Sequence, residues 1–312
     1  MKKIGLLIVL ALILNGCKKR KIINISEIVP THRGVYVNDF VNDVILGDVA
    51  KEDSLIDWTQ RNGLNHLYLY NTHQILVTDT TLRPKLSTFI AKCKNLSHPI
   101  KVTLVSGGHS SAEAMAPYYD MRYTDPDGMV SEIEFWNGSG SFDNFLSWTS
   151  ILSDIRMTLY PNMLHPRDPD LQRRYYVGKI KDAAGVYDSM QVAKHLVLAH
   201  DQIFLANYHN NAYELSNSST PNGIRARLQL LANAAYSENK KAHLVILFNV
   251  RQDSPAPNIF SYFDVNDGNH TFLQAFESFK SDFNNFAMDH KDMIVLDGFG
   301  IYRYSDARVA RP

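Results

Sequence analysis

The sequence predicts a closed (β/α)8 barrel formed by residues 31–312. Strand-like and helix-like segments alternate eight times after residue 30. Residues 31–312 are long enough for one large barrel, and no break in composition divides them. An open, doubly wound sheet gives the same alternation of segments and is the alternative interpretation.

Eight short runs are predicted as strands, because their β-branched and aromatic residues stand between turn signals. These runs are 34–38, 66–70, 100–105, 130–136, 175–179, 202–208, 243–248 and 293–299. Amphipathic patterns predict the intervening helices, with Asn62-Gly63 as a stop signal and Pro84 as a start signal. These patterns cover 52–61, a segment starting near residue 84, 142–159, 188–198, 222–238 and 271–288.

The first 30 residues form a separate region. A charged start at Lys2 and Lys3 and a short apolar run over 4–14 fit a secretory signal, because the run is too short to span a membrane. The segment around Cys17 resembles a bacterial lipoprotein signal. This resemblance implies a signal peptide with its lipobox over residues 1–17, lipidation of Cys17 and a partly basic tether over 18–30. It also implies an exported protein anchored in the cell envelope, at the outer membrane. A soluble secretory signal with an incidental cysteine is the alternative.

The composition excludes several functional classes. Formal net charge is +0 and the basic residues are scattered, so no nucleic-acid partner is predicted. The 12 histidines show no metal-ligand spacing, and no motif implies a cofactor. We therefore expect neither a metal nor a cofactor.

Two glutamates interrupt the predicted fourth strand, where a buried strand normally carries apolar residues. Side chains alternate across a strand, so Glu132 and Glu134 face the same side, roughly 7 Å apart. If both faces of the strand are covered, two carboxyl groups cost several kcal/mol unless they are paired, protonated or close to water. Such a pair is typical of a functional site, and in a barrel it lies at the carboxyl ends of the strands. An edge strand with one solvated face is the alternative.

Three segments resemble motifs of glycoside hydrolase family 18, the chitinases and endo-β-N-acetylglucosaminidases. The third strand of that family commonly ends in Ser-x-Gly-Gly, and 106–108 (Ser-Gly-Gly) is similar, with the serine displaced by one position. The fourth strand of the family carries Asp-Gly-x-Asp-x-Asp-x-Glu, which 127–134 resembles in spacing. The sixth carries Met-x-Tyr-Asp, of which 206–209 (Ala-Asn-Tyr-His) keeps the tyrosine.

The resemblance implies hydrolysis of a glycan that contains β-linked N-acetylglucosamine, by substrate-assisted acid catalysis. Glu134 takes the position of the proton donor, and Glu132 that of the aspartate which orients the substrate's acetamido group. Tyr208 takes the position of the tyrosine that hydrogen-bonds the same group. The donor must be protonated near neutral pH, which burial beside the second carboxyl group favours.

This sequence also departs from the family pattern. Val130 stands where the family has its inner aspartate, Glu132 is one methylene longer than the family residue, and His209 replaces an aspartate. A displacement of about 1 Å is enough to cost on the order of a hundredfold in rate. The second hypothesis is therefore a non-catalytic glycan-binding lipoprotein on the same fold, and the third is an envelope scaffold.

Further residues at or beyond the predicted strand ends are candidates for lining a sugar cleft. Tyrosine and tryptophan combine an apolar ring with a polar group, which suits contact with sugars. Packing inside the barrel is the alternative for each of them. The candidate substrate-binding residues are Tyr36, Tyr70, Trp136, Asn207, Phe299 and Tyr302.

Overall fold

The computed structural model is a closed barrel of eight parallel strands arranged in chain order. It describes residues 30–309 except 39, 42–44, 71, 73–74, 76–79, 107–123, 138–141, 144, 147–171, 209–222, 252 and 254–270. The strands are β1 His32–Val37, β2 His66–Leu69, β3 Lys101–Ser106, β4 Gly128–Ser131, β5 Gln172–Val177, β6 Gln202–Asn207, β7 Ala242–Asn249 and β8 Ile294–Tyr302.

Pairing between the first and last strands closes the barrel. Gly34 of β1 is in register with Gly300 of β8, and Val35 with Ile301. An open, doubly wound sheet leaves its edge strands unpaired, so this pairing excludes the alternative fold. The predicted (β/α)8 barrel is confirmed.

The fourth strand is shorter than predicted and lies earlier in the chain. It ends at Ser131, whereas the sequence predicted a strand over 130–136. The backbone then turns: the Phe135 N–H donates to the Ile133 carbonyl at 3.0 Å, and the Asn137 N–H donates to the Glu134 carbonyl at 3.0 Å. Both glutamates therefore follow the strand instead of lying within it.

Helices cover the outside of the barrel, and three of the six in the described part of the chain begin at a side chain that caps their first turn. Asp188 and Thr271 each form a capping box with a glutamine three residues later. Asp48 caps the first helix, which ends just before Gly63, a glycine with φ of 63°. The helices are α1 Val49–Arg61, α2 Arg83–Lys94, α3 Ser189–Ala199, α4 Ile224–Ser237, α5 Phe272–Asn285 and α6 Tyr304–Ala307, with 3-10 turns at Thr80–Leu82 and Lys291–Met293.

The buried residues form two layers separated by the sheet. Outward-facing strand residues such as Leu67, Leu205 and Ile246 pack against the helices. The inward-facing residues form a smaller cluster inside the barrel. Its buried members are Tyr36, Tyr68, Val105, Val130, Phe204, Val245 and Leu247.

Tyr68 fills the middle of the barrel, because glycines on β1 and β8 leave room for its ring. A Cβ added at Gly34 would lie 2.1 Å from the Tyr68 hydroxyl oxygen, and one added at Gly300 would lie 3.0 Å from the ring. The Tyr68 hydroxyl is 2.5 Å from His32 Nε2, at the amino-terminal end of the barrel. The His32 ring stacks on His66 with ring centroids 3.7 Å apart. The lower half of the barrel is therefore a packed core.

Residues Thr31–Pro312 form one compact unit. Within the described part of the chain, no helix is long and apolar enough to cross a membrane. The predicted signal, Cys17 and residues 18–29 lie outside the described residues, as do Gly107, His209 and most of the helix predicted over 142–159.

We expect Gly34→Ala to destabilise the barrel by roughly 1–3 kcal/mol, because the new methyl group overlaps the Tyr68 side chain. Urea unfolding measures the change. Gly185→Ala is the control, since no atom lies within 4 Å of its added Cβ and only its left-handed backbone opposes the substitution. An equal or smaller loss for Gly34→Ala would contradict this account of the packing.

Candidate functional site

Polar side chains gather at the carboxyl-terminal mouth of the barrel, above the apolar interior cluster. Tyr36 is the last inward-facing residue of β1, and Tyr70 follows the end of β2. Glu132 follows β4 directly, and Tyr208 follows β6. Because the carboxyl ends of all eight strands meet at one end of the barrel, residues far apart in sequence share this mouth.

Glu132 is the most perturbed acid of the mouth. It keeps some contact with solvent, yet protein surrounds its carboxyl group, as expected at the floor of a concave site. Burial, together with the negative charge of Glu134, raises the pKa of Glu132 to about 8, although the nearby Tyr36 hydroxyl acts to lower it. The buried Tyr36 hydroxyl lies close enough to Glu132 to interact with it, although it completes no hydrogen bond of normal geometry within the described residues.

Tyrosines surround this carboxyl group. The Tyr36 and Tyr302 ring centroids are 5.7 Å apart, those of Tyr302 and Tyr208 are 6.3 Å apart, and those of Tyr208 and Tyr176 are 6.5 Å apart. The charge of Glu132 is the main cause that raises the pKa of Tyr70, and burial is the main cause for Tyr176 and Tyr208. The phenol groups of Tyr70, Tyr176 and Tyr208 stay protonated at neutral pH, so the mouth offers hydroxyl donors and acceptors between apolar rings.

Glu134 also lies at the mouth, but the local turn holds it. Its carboxylate accepts a hydrogen bond from the Asn137 side-chain amide. Its charge contributes to the raised pKa values of Glu132, Tyr70 and Tyr176. The two glutamates and the tyrosines are therefore brought together, although Glu132 and Glu134 do not share one strand face as the alternation predicted.

Three of the predicted substrate-binding residues lie away from this surface or are buried in packing. Phe299 faces outward and packs on Phe276 of α5, with ring centroids 5.7 Å apart. Asn207 is buried on the same outward side of β6 as Leu205. Trp136 is buried against Phe135 and Tyr176. Tyr36, Tyr70 and Tyr302 are the candidates that the fold places around Glu132.

A cavity of about 300 Å³ lies beside the mouth. It shares Asn38 with the mouth, because the Asn38 side-chain amide donates to the Tyr302 hydroxyl at 3.0 Å. Glu132 and Glu134 do not line it, so it adjoins the acidic site and is separate from it. The cavity is lined by Asn38, Ile45, Lys51, Ser54, Tyr304, Ser305 and Arg308.

The sequence did not single out Tyr176 or Arg227. Arg227 of α4 is buried, and its Nη2 donates to the Ala206 carbonyl at 2.7 Å and its Nη1 to the Val177 carbonyl at 3.4 Å. Burial lowers its pKa to about 10, while Tyr176 and Tyr208 raise it. Arg227 lies three residues after Ile224 and four before Leu231, on the apolar face of the helix. This spacing was the signal in the sequence that could have predicted its burial.

Metal-binding groups do not converge in this part of the molecule. Among the described residues, no group of three or more histidine, cysteine, aspartate or glutamate side chains has the arrangement to hold a metal ion. The chemistry that the mouth offers on its own residues is proton transfer and hydrogen bonding.

The fold and the position of the site define a (β/α)8 barrel with a tyrosine-lined acidic mouth. No protein-family model matches the sequence, and no curated protein is significantly similar to it. Similar solved structures include YKL-39, crystallised in the presence of chitooligosaccharides, with a TM-score of 0.50 and 12% identity over 87% of this chain and 92% of that one.

Two further similar structures are enzymes. A class V chitinase from Pseudomonas fluorescens Pf-5 has a TM-score of 0.48 and 11% identity, over 89% of this chain and 96% of that one. The spore cortex-lytic enzyme SleL of Bacillus cereus has a TM-score of 0.45 and 10% identity, over 88% and 71%. At these identities a likeness shows the fold alone. The barrel has the fold that the resemblance to glycoside hydrolase family 18 implied, and its sequence diverges widely from those of the similar structures.

The raised pKa of Glu132 predicts a pH-dependent stability. Between its ordinary value of 4.5 and about 8 the unfolded chain loses the proton while the folded chain keeps it, so the free energy of unfolding falls as pH rises through this range. Glu132→Gln removes this loss. The difference in the free energy of unfolding between the variant and the wild type should therefore grow in favour of the variant, by up to several kcal/mol, from about pH 4 to about pH 9. Urea unfolding measures it.

Asp57→Asn, which removes an exposed carboxylate on α1, is the matched control for the change in charge. An equal pH dependence in the wild type and in Glu132→Gln would show that Glu132 is not the responsible group.

Proposed function

We propose that this protein hydrolyses a glycan containing β-linked N-acetylglucosamine at the carboxyl-terminal mouth of the barrel. The observation that carries the proposal is the convergence of Glu132, Glu134 and Tyr208 at one end of the barrel, in a setting that keeps one carboxyl group protonated near neutral pH. Acid catalysis of glycoside cleavage needs a carboxylic acid of this kind.

The tyrosines of the mouth support a sugar as the ligand. Tyr208 and Tyr302 are half-buried and present apolar rings next to each other, and each ring ends in a hydroxyl group. Sugars pair with such surfaces, because their C–H faces pack on rings while their hydroxyl groups exchange hydrogen bonds. In the proposed substrate-assisted reaction, the acetamido carbonyl oxygen of the substrate attacks the anomeric carbon, and Tyr208 hydrogen-bonds the acetamide.

A second function is favoured by the replacement of an acid within the barrel. Val130 is buried in the apolar interior, directly below the mouth, where the resemblance places an aspartate. A barrel that binds a glycan without cleaving it needs the tyrosines and does not need that aspartate. The alternative proposal is therefore a non-catalytic glycan-binding lipoprotein.

The place of action is proposed from the amino terminus. The segment around Cys17 resembles a lipoprotein signal, which supports export and lipid anchoring in the bacterial cell envelope, at the outer membrane. A glycan of the envelope, or one reaching it from outside, is then the accessible ligand.

Sugar release tests the proposed hydrolysis. Protein starting at Lys18 should release sugar from at least one of three substrates: chitin oligosaccharides, peptidoglycan or an N-glycan core. The double variant Glu132→Gln/Glu134→Gln removes both acids, so its turnover should fall by about 10²–10⁴-fold, the usual contribution of a general acid. Reducing-end assays measure the rates.

The double variant Asp53→Asn/Asp57→Asn, on exposed α1 positions, is the control for losing two acids. An equal loss of turnover in the two double variants would contradict the assignment. Calorimetry with the same oligosaccharides tests the alternative: binding without turnover supports the non-catalytic protein, and the absence of both rejects each proposal.

If Cys17 is lipidated, as proposed, this residue determines whether the protein is bound to the membrane. Expressed in a bacterium, the full-length chain should fractionate with membranes and incorporate labelled fatty acid. Cys17→Ala should lose the label and leave the membrane fraction, because a short basic segment alone binds lipid weakly. Cys93→Ala is the control at the second, buried cysteine. Unchanged fractionation of Cys17→Ala would reject the anchor.

A further inference from the structure

We infer that the cavity beside the mouth is a subsite for the acidic group of a glycan, so that the protein prefers oligosaccharides carrying carboxylates. The inference rests on the proposed function and names the class of its substrate. The walls of the cavity come from the segment after β1, from the start of α1, and from α6 with the residue that follows it. The lining residues are Asn38, Ile45, Lys51, Ser54, Tyr304, Ser305 and Arg308.

Asn38 connects the cavity with the mouth. Its Nδ2 donates to the Tyr302 hydroxyl at 3.0 Å, and the Tyr302 ring centroid is 6.3 Å from that of Tyr208. The buried Asn38 Oδ1 has no hydrogen-bond partner among the described residues, and a donor from a ligand would satisfy it. The cavity, of about 300 Å³, is at the lower end of the usual range for small-molecule sites. A linear glycan bound at the mouth can therefore place its next sugar unit in the cavity.

The charged residues among the lining set are both positive. Lys51 lies in the first turn of α1, and Arg308 directly follows α6. Both residues are exposed, so water and a ligand can reach them. The lining set contains no aspartate or glutamate. Two cations at one small cavity favour an anionic ligand.

The acids that flank these residues in sequence already have donors. Asp48 Oδ1 accepts from the Lys51 backbone N–H at 3.2 Å, and its Oδ2 is 3.9 Å from Lys51 Nζ. An exposed pair at that distance contributes little, so the ammonium group can also contact a ligand. The Asp306 carboxylate accepts from Arg303 Nε at 2.6 Å and from the Ser305 hydroxyl at 3.1 Å. The carboxylates of Asp48 and Asp306 therefore do not cancel the positive charge at the cavity.

The other lining residues suit a sugar unit better than a bare ion. Tyr304 is half-buried, and its ring packs edge-on against Trp58 with centroids 5.1 Å apart. The C–H face of a sugar packs on such a ring, while the hydroxyl groups of Ser54 and Ser305 can exchange hydrogen bonds with it. The Arg308 guanidinium can bind a carboxylate through two parallel hydrogen bonds. The combination fits a sugar that bears a carboxylate.

Calorimetry with two matched tetrasaccharides tests the inference in the protein starting at Lys18. The first alternates N-acetylglucosamine with N-acetylmuramic acid, whose lactyl groups carry free carboxylates. The second is the same tetrasaccharide with those groups converted to neutral carboxamides. We expect the acid to bind about fivefold to tenfold more tightly than the amide. In 1 M NaCl the preference should fall below about twofold, because salt screens charges at exposed sites.

The double variant Lys51→Gln/Arg308→Gln should lose the preference for the acid and keep its affinity for the amide within about twofold. Both residues are exposed, so the variant should fold as the wild type does. Lys101→Gln/Lys241→Gln is the control for losing two positive charges. These two exposed lysines lie at the amino-terminal end of the barrel, at the start of β3 and just before β7, and this variant should keep the preference.

Equal affinity of the wild type for the acid and the amide would overturn the inference, as would a preference that survives in Lys51→Gln/Arg308→Gln. Inorganic phosphate that binds through Lys51 and Arg308 in a protein without this preference would also overturn it, since the cavity would then be a simple ion site. Release of sugar from the amide and from chitin oligosaccharides tests the proposed hydrolysis separately. A preference that depends on the two cations, without cleavage of any substrate, supports the subsite and rejects hydrolysis. Binding of neither tetrasaccharide overturns the inference.

Discussion

The interior of a closed eight-strand barrel has a fixed width, and the inward-facing side chains must fill it. In this chain Tyr68 fills the centre, since Gly34 and Gly300 leave space for its ring. The rings of Tyr36 and Phe204 pack above it, each 4.9 Å from Tyr68 between ring centroids. The polar groups described at the mouth consequently lie above a packed, apolar interior. The high pKa of Glu132 follows from this packing, because this interior withholds the water that would stabilise the carboxylate.

Local patterns were sufficient to predict most of the fold. The capping residues Asp188 and Thr271 lie at the starts of helices predicted over 188–198 and 271–288, and runs of β-branched and aromatic residues between turn signals located the strands. The end of the fourth strand was predicted wrongly. Residues 130–136 have the composition of a strand throughout, but the backbone turns after Ser131, where the hydrogen bonds to the neighbouring strands stop. Strand pairing is a long-range property, and propensity alone does not reveal where it ends.

The candidate site was predictable in its location but only partly in its members. Alternation of side chains along β4, counted from the inward-facing Val130, correctly predicts that Glu132 lies at the mouth. The same rule does not apply to Glu134, because the strand has ended before that residue. Phe299 shows the same limit, because a register shift in β8 and the packing of α5 decide which of its neighbours face the interior. Tyr176 and Arg227 were missed since neither belongs to a motif. Their importance appears only when β5, β6 and α4 are assembled.

Arg227 makes its hydrogen bonds to backbone carbonyls and, among the described residues, to no carboxylate. These hydrogen bonds do not depend on the side chains of Val177 and Ala206, because both residues supply only their main-chain oxygens. The ends of β5 and β6 are thus held together independently of the residues they display. Side chains that β5 and β6 display at the mouth can therefore be substituted without loss of this backbone contact. Such an arrangement suits a fold whose ligand specificity changes while its strands keep their positions.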